Sequence, residues 1–123
     1  MAQFRILVVE DEVIVRMVLN EMFGDIGCHV TQASTGEEGA AFLREGRFDL
    51  LFTDIRLPGA ISGIDLAEMA RERQPEIPII VASGATVELK EKLAQLAPPP
   101  TIMSKPYNFG ALMTLVQGMM PTA

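Results

Sequence analysis

Residues with chemically active side chains follow four short apolar runs in this chain. They are Glu10 and Asp11 after residues 6–9, Asp54 after 50–53, Ser83 after 79–82 and Lys105 after 101–104. Carboxylate oxygens are the ligands that hard cations such as Mg²⁺ prefer, and a carboxylate can also attack phosphorus. Ammonium and hydroxyl groups bind phosphoryl oxygens. The set as a whole is typical of a site for a divalent cation and a phosphoryl group.

Predicted strands and helices alternate along the chain, and this alternation would position the side chains named above. The apolar runs predict strands near residues 5–9, 29–33, 49–53, 78–82 and 101–104. The intervening patterns predict helices near residues 12–23, 36–45, 63–73, 87–97 and 108–119. Such strict alternation favours an α/β parallel sheet with right-handed crossovers and helices on both faces. Because function collects beyond the carboxyl ends of strands in open α/β sheets, we expect these side chains at one rim.

Length and composition exclude several classes of protein. With 123 residues and 49% hydrophobic content, the chain is expected to form one domain, residues 1–123. A net charge of −6 argues against nucleic acid as a direct partner. The apolar stretches are too short to span a bilayer, so no membrane partner is expected. The single cysteine, Cys28, fits a reducing cytoplasm.

Four motifs at the strand ends carry a family resemblance. They are Glu10-Asp11-Glu12, Thr53-Asp54-Ile55-Arg56-Leu57-Pro58, Ser83-Gly84 and Lys105-Pro106-Tyr107. In this order and at these intervals they resemble the receiver domain of two-component response regulators, over essentially the whole chain. The resemblance implies a flavodoxin-like, doubly wound sheet of five parallel strands in the order 2-1-3-4-5, with five helices.

The same resemblance implies roles for the residues at the rim. Asp54 would be the phosphoacceptor and would form an acyl phosphate, while Lys105 and Ser83 would bind phosphoryl oxygens. The expected metal ion is Mg²⁺. Its expected protein ligands are the carboxylates of Asp11 and Asp54 and the backbone carbonyl of Arg56, with Glu10 acting through a water molecule.

Because the chain ends with its last predicted helix, we further expect a single-domain signalling protein that acts through protein contacts, with a domain of a longer protein as the alternative. It would catalyse only its own phosphorylation and dephosphorylation, and would not otherwise be an enzyme. The phosphoryl group is expected from a histidine kinase or a phosphotransfer protein. Its arrival is expected to change the surface that contacts an unknown downstream protein. Ile102 stands where many receivers carry an aromatic switch residue, so that rotamer switch is not expected here.

Other functions remain open at this point. One is an enzyme with multiple turnover, a Mg²⁺-dependent phosphatase or phosphotransferase with an aspartyl-phosphate intermediate. Against it, Arg56 stands two residues after Asp54, where such an enzyme needs a second acid. Another is a pseudo-receiver scaffold that binds partners without phosphorylation, and the presence of both Asp54 and Lys105 argues against it. A flavodoxin-like cofactor binder is disfavoured because acidic side chains stand where a phosphate-binding loop would be.

The first and last predicted helices are unusually apolar. No charged side chain occurs between Pro106 and Ala123, and the first helix has only a narrow polar stripe. These apolar residues cover more than one core-facing side. In this fold the two helices are neighbours on one face of the sheet, so we expect a protein interface there, with a homodimer as one form of it. The alternative is an apolar but unpartnered surface.

Overall fold

Strands and helices alternate strictly along the chain, as predicted. The computed structural model describes residues 3–84 and 87–121. The strands are β1 (Phe4–Val9), β2 (Cys28–Ala33), β3 (Leu50–Asp54), β4 (Ile79–Ser83) and β5 (Thr101–Ser104). The helices are α1 (Val13–Asp25), α2 (Gly36–Glu45), α3 (Gly63–Arg73), α4 (Val87–Ala94) and α5 (Phe109–Met119).

The strands form one parallel sheet in the order β2-β1-β3-β4-β5. Val9 pairs with Thr53, Asp54 pairs with Ala82, and Ser83 pairs with Ser104. This register places the carboxyl ends of β1, β3, β4 and β5 at the same edge of the sheet. The predicted flavodoxin-like, doubly wound fold is therefore confirmed.

Apolar clusters cover both faces of the sheet, which explains why the central strands are continuous apolar runs. Successive residues of β1 point to opposite faces: Ile6 and Val8 belong to one cluster, and Leu7 and Val9 to the other. The first cluster is completed mainly by α1 and α5, and the second by α2, α3 and α4. With both faces covered by described residues, the rims are where side chains at the strand ends can reach solvent.

The neighbouring helices α1 and α5 use their apolar residues differently. In α5, Leu112, Met113 and Val116 are buried against the sheet, so much of its apolar surface belongs to the core. In α1, the first turns carry large apolar side chains that remain exposed: Val13 by 55%, Ile14 by 72% and Met17 by 59%. The apolar surface predicted for these two helices therefore lies mainly on α1.

Local sequence signals explain where two of the helices begin. Thr35 accepts a hydrogen bond from the Glu38 backbone N–H at the start of α2. At the start of α3, Ser62 and Asp65 form a complete capping box.

No helix within the described ranges has the length and apolar content needed to cross a bilayer.

Candidate functional site

Three carboxylates meet at the carboxyl edge of the sheet. Glu10 and Asp11 directly follow β1, and Asp54 is the last residue of β3. One carboxylate oxygen from each of the three lies within 4.8 Å of the others. Glu10 is only 1% exposed and Asp54 only 5%, whereas Asp11 is open to solvent. The sequence thus predicted correctly which acidic residues come together.

Burial makes ionisation of Glu10 unfavourable. It raises the pKa of Glu10 from 4.5 to about 7, and the negative charge of Asp54 adds to the rise. Two interactions lower the pKa of Glu10 and so oppose part of this rise. The Glu12 backbone N–H donates to Glu10 Oε2 at 3.1 Å, and the positive charge of Lys105 favours the ionised carboxylate. The ionised carboxylates of this cluster repel one another, and a bound cation would stabilise their charged forms.

Lys105 connects the end of β5 to the end of β3. Its Nζ donates to Asp54 Oδ2 at 2.5 Å, and this is a salt bridge to a nearly buried carboxylate. Partial burial by itself would lower the pKa of Lys105, but the hydrogen bond and charge of Asp54 outweigh it and the pKa is raised. The Lys105 backbone N–H also donates to the Ser83 carbonyl at 2.9 Å, which couples the ends of β4 and β5.

A cleft of about 460 Å³ opens above Asp54. Ser83 is buried at the end of β4 and lines this cleft, and the exposed Arg56 lines it from the loop after β3. Among residues 3–84 and 87–121, the lining is Asp11, Glu12, Asp54, Ile55, Arg56, Ser83, Gly84 and Lys105. All the residues predicted for the site border this cleft or its acidic floor. Whether the Arg56 carbonyl binds a metal ion stays a prediction.

The donor set of the cluster fits Mg²⁺. It offers carboxylate oxygens only, from Glu10, Asp11 and Asp54, and Mg²⁺ prefers oxygen ligands. Asp11 is open to the cleft, so a metal ion held there would keep coordination positions for water and for a phosphoryl oxygen. A buried carboxylate, an acidic cluster that could hold a cation, an ammonium group and a hydroxyl group thus border the same cleft, and phosphoryl transfer to a carboxylate needs groups of these kinds.

Three residues near the site were given no individual role from the sequence. The Thr53 hydroxyl donates to the Asp54 carbonyl at 2.8 Å, and Gly63 packs directly against that carbonyl. The Tyr107 hydroxyl is buried and has no hydrogen-bond partner among the described residues. Its position two residues after Lys105 was visible in the sequence, but its burial was not. Burial, together with the charges of Glu10 and Asp54, raises the pKa of Tyr107, so the phenol stays protonated.

Comparisons with known proteins agree with this geometry. Residues 6–117 match the response regulator receiver domain family. The response regulator receiver protein CpdR of Brucella abortus is 30% identical over 119 residues, which cover 97% of this chain and 98% of that protein. Some other relatives are longer proteins, of which the chain spans between 10% and 26%.

Solved structures are similar over nearly the whole chain. The response regulator protein TrrA of Thermotoga maritima, in complex with Mg²⁺ and BeF, is 31% identical with a TM-score of 0.79, covering 94% of this chain and 98% of TrrA. A second match is the co-crystal structure of the Saccharomyces cerevisiae histidine phosphotransfer protein Ypd1 with the receiver domain of the response regulator Ssk1. It is 25% identical with a TM-score of 0.78, covering 94% of this chain and 87% of the matched chain.

Proposed function

Because the chain belongs to the response regulator receiver domain family, we propose that it accepts a phosphoryl group on Asp54, with Mg²⁺, and thereby changes a surface that binds another protein. The observation that carries this proposal is the environment of Asp54. Its carboxylate is nearly buried, lies in a cluster of three acidic groups and is hydrogen-bonded to Lys105 at 2.5 Å. A purely structural aspartate at a strand end would need neither the acidic neighbours nor the lysine.

The proposed reaction is an in-line displacement at phosphorus. A carboxylate oxygen of Asp54 forms a bond to phosphorus while the bond between phosphorus and the donor's imidazole nitrogen breaks, and the electron pair leaves with that nitrogen. Lys105 and Ser83 lie beside Asp54 in the cleft, where they would bind oxygens of the transferred group. No turnover of other substrates is part of this proposal.

The residues that would hold Mg²⁺ are Asp11 and Asp54, with the Arg56 carbonyl as a third ligand and Glu10 acting through water. When bound, Mg²⁺ supplies positive charge that neutralises the acidic cluster and the phosphoryl oxygens. Support for this arrangement comes from the oxygens of Glu10, Asp11 and Asp54, which lie within 4.8 Å of one another.

A small phosphodonor tests the proposal directly. The intact protein is incubated with acetyl phosphate, with and without Mg²⁺, and weighed by mass spectrometry. We expect the gain of one phosphoryl group only when Mg²⁺ is present. Asp54→Asn should abolish it, and Asp25→Asn, at the exposed end of α1, should leave it unchanged.

Two other outcomes would overturn the proposal. A folded wild-type protein that binds Mg²⁺ but gains no mass would favour the pseudo-receiver scaffold. Repeated release of inorganic phosphate from a small phosphate ester such as p-nitrophenyl phosphate, at a rate above that of acyl-phosphate decay, would favour the phosphatase or phosphotransferase.

The proposed donor is a histidine kinase or a phosphotransfer protein, and we place its docking surface at the first turns of α1. Val13, Ile14 and Met17 are large, exposed and next to Asp11 and Glu12 at the rim of the cleft. A protein that delivers a phosphoryl group to Asp54 must cover this rim. The Ypd1 structure, solved with a receiver domain, supports a partner of this kind.

Comparing protein and small-molecule donors tests this docking surface. Ile14→Glu should slow phosphorylation by a phosphorylated histidine phosphotransfer protein by about tenfold, while phosphorylation by acetyl phosphate is unchanged. Gln117→Glu adds the same charge on the exposed face of α5 and should alter neither rate. Equal rates for Ile14→Glu and wild type with the protein donor would contradict the proposed surface.

A homodimer through α1 and α5 is the competing use of the same surface. Light scattering after size-exclusion chromatography distinguishes the two, because a dimer that Ile14→Glu dissociates would assign this surface to a second copy of the chain.

A cytoplasmic location completes the proposal and rests on the single cysteine, Cys28.

A further inference from the structure

We propose that Thr53 and Gly63 are positioning residues that hold the main chain of Asp54 in place for phosphoryl transfer. Both act on the same atom, the Asp54 carbonyl oxygen, from two different elements of the fold. Neither is expected to touch the phosphoryl group or the metal ion. The inference rests on the proposed function, since it concerns how the phosphoacceptor is held.

Thr53 holds this carbonyl through its side chain. The Thr53 hydroxyl is fully buried and donates to the Asp54 carbonyl oxygen at 2.8 Å. A threonine hydroxyl in the middle of an apolar sheet is costly to bury unless it makes such a bond. A valine at this position would have the same shape and would avoid that cost, so the hydroxyl needs a purpose other than packing.

Gly63 restricts the same carbonyl group because its backbone lies directly against it. A Cβ atom on Gly63 would lie 2.0 Å from the Asp54 carbonyl oxygen and 2.8 Å from the Asp54 carbonyl carbon. Both atoms belong to the backbone, so no side-chain rotation could make room. Any residue larger than glycine must therefore shift either α3 or the end of β3.

Hydrogen bonds hold both sides of this contact, so a larger residue at position 63 would strain the contact between α3 and Asp54. The Gly63 N–H donates to the Ile55 carbonyl at 2.8 Å, and the Ser62–Asp65 capping box anchors the first turn of α3. On the opposite side, the Ile55 N–H donates to the Ala82 carbonyl at 3.1 Å. The backbone around Asp54 is thus held between β4 and α3.

This arrangement matters because the Asp54 carboxylate has to meet several geometric demands at once. It is hydrogen-bonded to Lys105 at 2.5 Å and shares the acidic cluster with Glu10 and Asp11. A displacement of about 1 Å in a reacting group can cost about a hundredfold in rate. A small movement of the Asp54 backbone would therefore slow phosphoryl transfer although every reacting group is still present.

Two substitutions with matched controls test the inference. The variants are Gly63→Ala and Thr53→Val, and the controls are Gly118→Ala and Thr114→Val. A Cβ on Gly118 would contact nothing within 4 Å, and the Thr114 hydroxyl donates to the Gly110 carbonyl of α5 at 3.1 Å, far from the cleft. Each control thus repeats the chemical change at a place that does not touch Asp54.

The measurement is the initial rate of phosphorylation by acetyl phosphate at saturating Mg²⁺, divided by the folded fraction from circular dichroism. We expect Gly63→Ala to be slower by about tenfold and Thr53→Val by about threefold, with both controls at the wild-type rate. Thr53→Ser keeps the hydroxyl and should restore the rate. A merely structural role would change the folded fraction but not the rate of each folded molecule.

A second measurement does not depend on phosphorylation. In the metal-free protein, the amide resonances of Lys105 and Asp11, neither of which is next in sequence to a substituted residue, should shift in Gly63→Ala and Thr53→Val and stay in place in the controls. Wild-type rates in both folded variants, or unshifted resonances, would overturn the inference. If Gly63→Ala does not fold, Thr53→Val and Thr53→Ser decide the question. If the wild-type protein accepts no phosphoryl group, the proposed function fails, while the resonances still test the positioning.

Discussion

The acidic cluster should make the stability of the metal-free protein depend on pH near neutrality. The pKa of Glu10 is raised from 4.5 to about 7 because its carboxyl group is buried, with the charge of Asp54 adding to the effect. The folded protein therefore holds this proton more tightly than the unfolded chain does. Its free energy of unfolding should fall as the pH rises from about 4.5 to about 7, and then level off. At about 1.4 kcal/mol per pKa unit, the complete loss is roughly 3 kcal/mol.

Glu10→Gln removes the titrating group with little change in size. Its side-chain oxygen can still accept the hydrogen bond that the Glu12 N–H donates to Glu10 Oε2 at 3.1 Å. In EDTA at pH 8, the variant should be more stable than wild type by roughly 2–3 kcal/mol, and the difference should disappear below about pH 4.5. Urea unfolding followed by circular dichroism at several pH values measures both curves.

A matched control and a metal titration complete this test. Glu72→Gln, on the exposed surface of α3, should run parallel to wild type at every pH. Saturating Mg²⁺ should flatten the wild-type curve, because a cation binds the ionised form of the cluster and stabilises the folded state. The reasoning would be refuted by a metal-free wild-type curve that is flat between pH 5 and 8, or by a Glu10→Gln variant that is no more stable than wild type at pH 8.

Two further predictions concern single hydroxyl groups. Tyr107→Phe should raise the free energy of unfolding by about 1 kcal/mol, since it removes a buried hydroxyl that has no partner among the described residues; a loss of stability in urea unfolding would show that the hydroxyl is bonded. Ser62→Ala should lower it by about 1 kcal/mol, because it removes the hydroxyl that accepts a hydrogen bond from the Asp65 N–H in the α3 capping box. Thr35→Ala at the start of α2 provides a comparison for Ser62→Ala, and a Ser62→Ala variant as stable as wild type would contradict the prediction.

The fold and the meeting of the acidic residues with Lys105 at one rim were predictable because their signals are local. A strand buried on both faces reads as a continuous apolar run, as in residues 50–52, and its end is marked by the first charged side chain, Asp54. Parallel strands then bring such ends together whatever the details of packing. This is why Glu10, Asp11 and Lys105 could be assigned to the same rim before any distance was known.

Features that depend on packing between distant elements could not be predicted in this way. Nothing in the sequence indicates that Gly63 touches the Asp54 carbonyl, because the contact depends on how closely α3 approaches β3. The apolar surface of α5 was overestimated for a similar reason. The sequence shows that Leu112, Met113 and Val116 are apolar, but only the packing of α5 against the sheet shows that all three are buried.

The charge of the cleft connects the metal ion, the lysine and the proposed phosphorylation. When all are ionised, the carboxylates of Glu10, Asp11 and Asp54 together with the ammonium group of Lys105 leave two negative charges, which one divalent cation balances. Phosphorylation of Asp54 would replace one negative charge by almost two. Lys105, already bonded to Asp54 Oδ2 at 2.5 Å, would then bind the more negative phosphoryl oxygens.

Because the Lys105 backbone N–H also donates to the Ser83 carbonyl at 2.9 Å, a movement of Lys105 would act on the ends of both β4 and β5. Those two strand ends are therefore where the structural response to phosphorylation should begin.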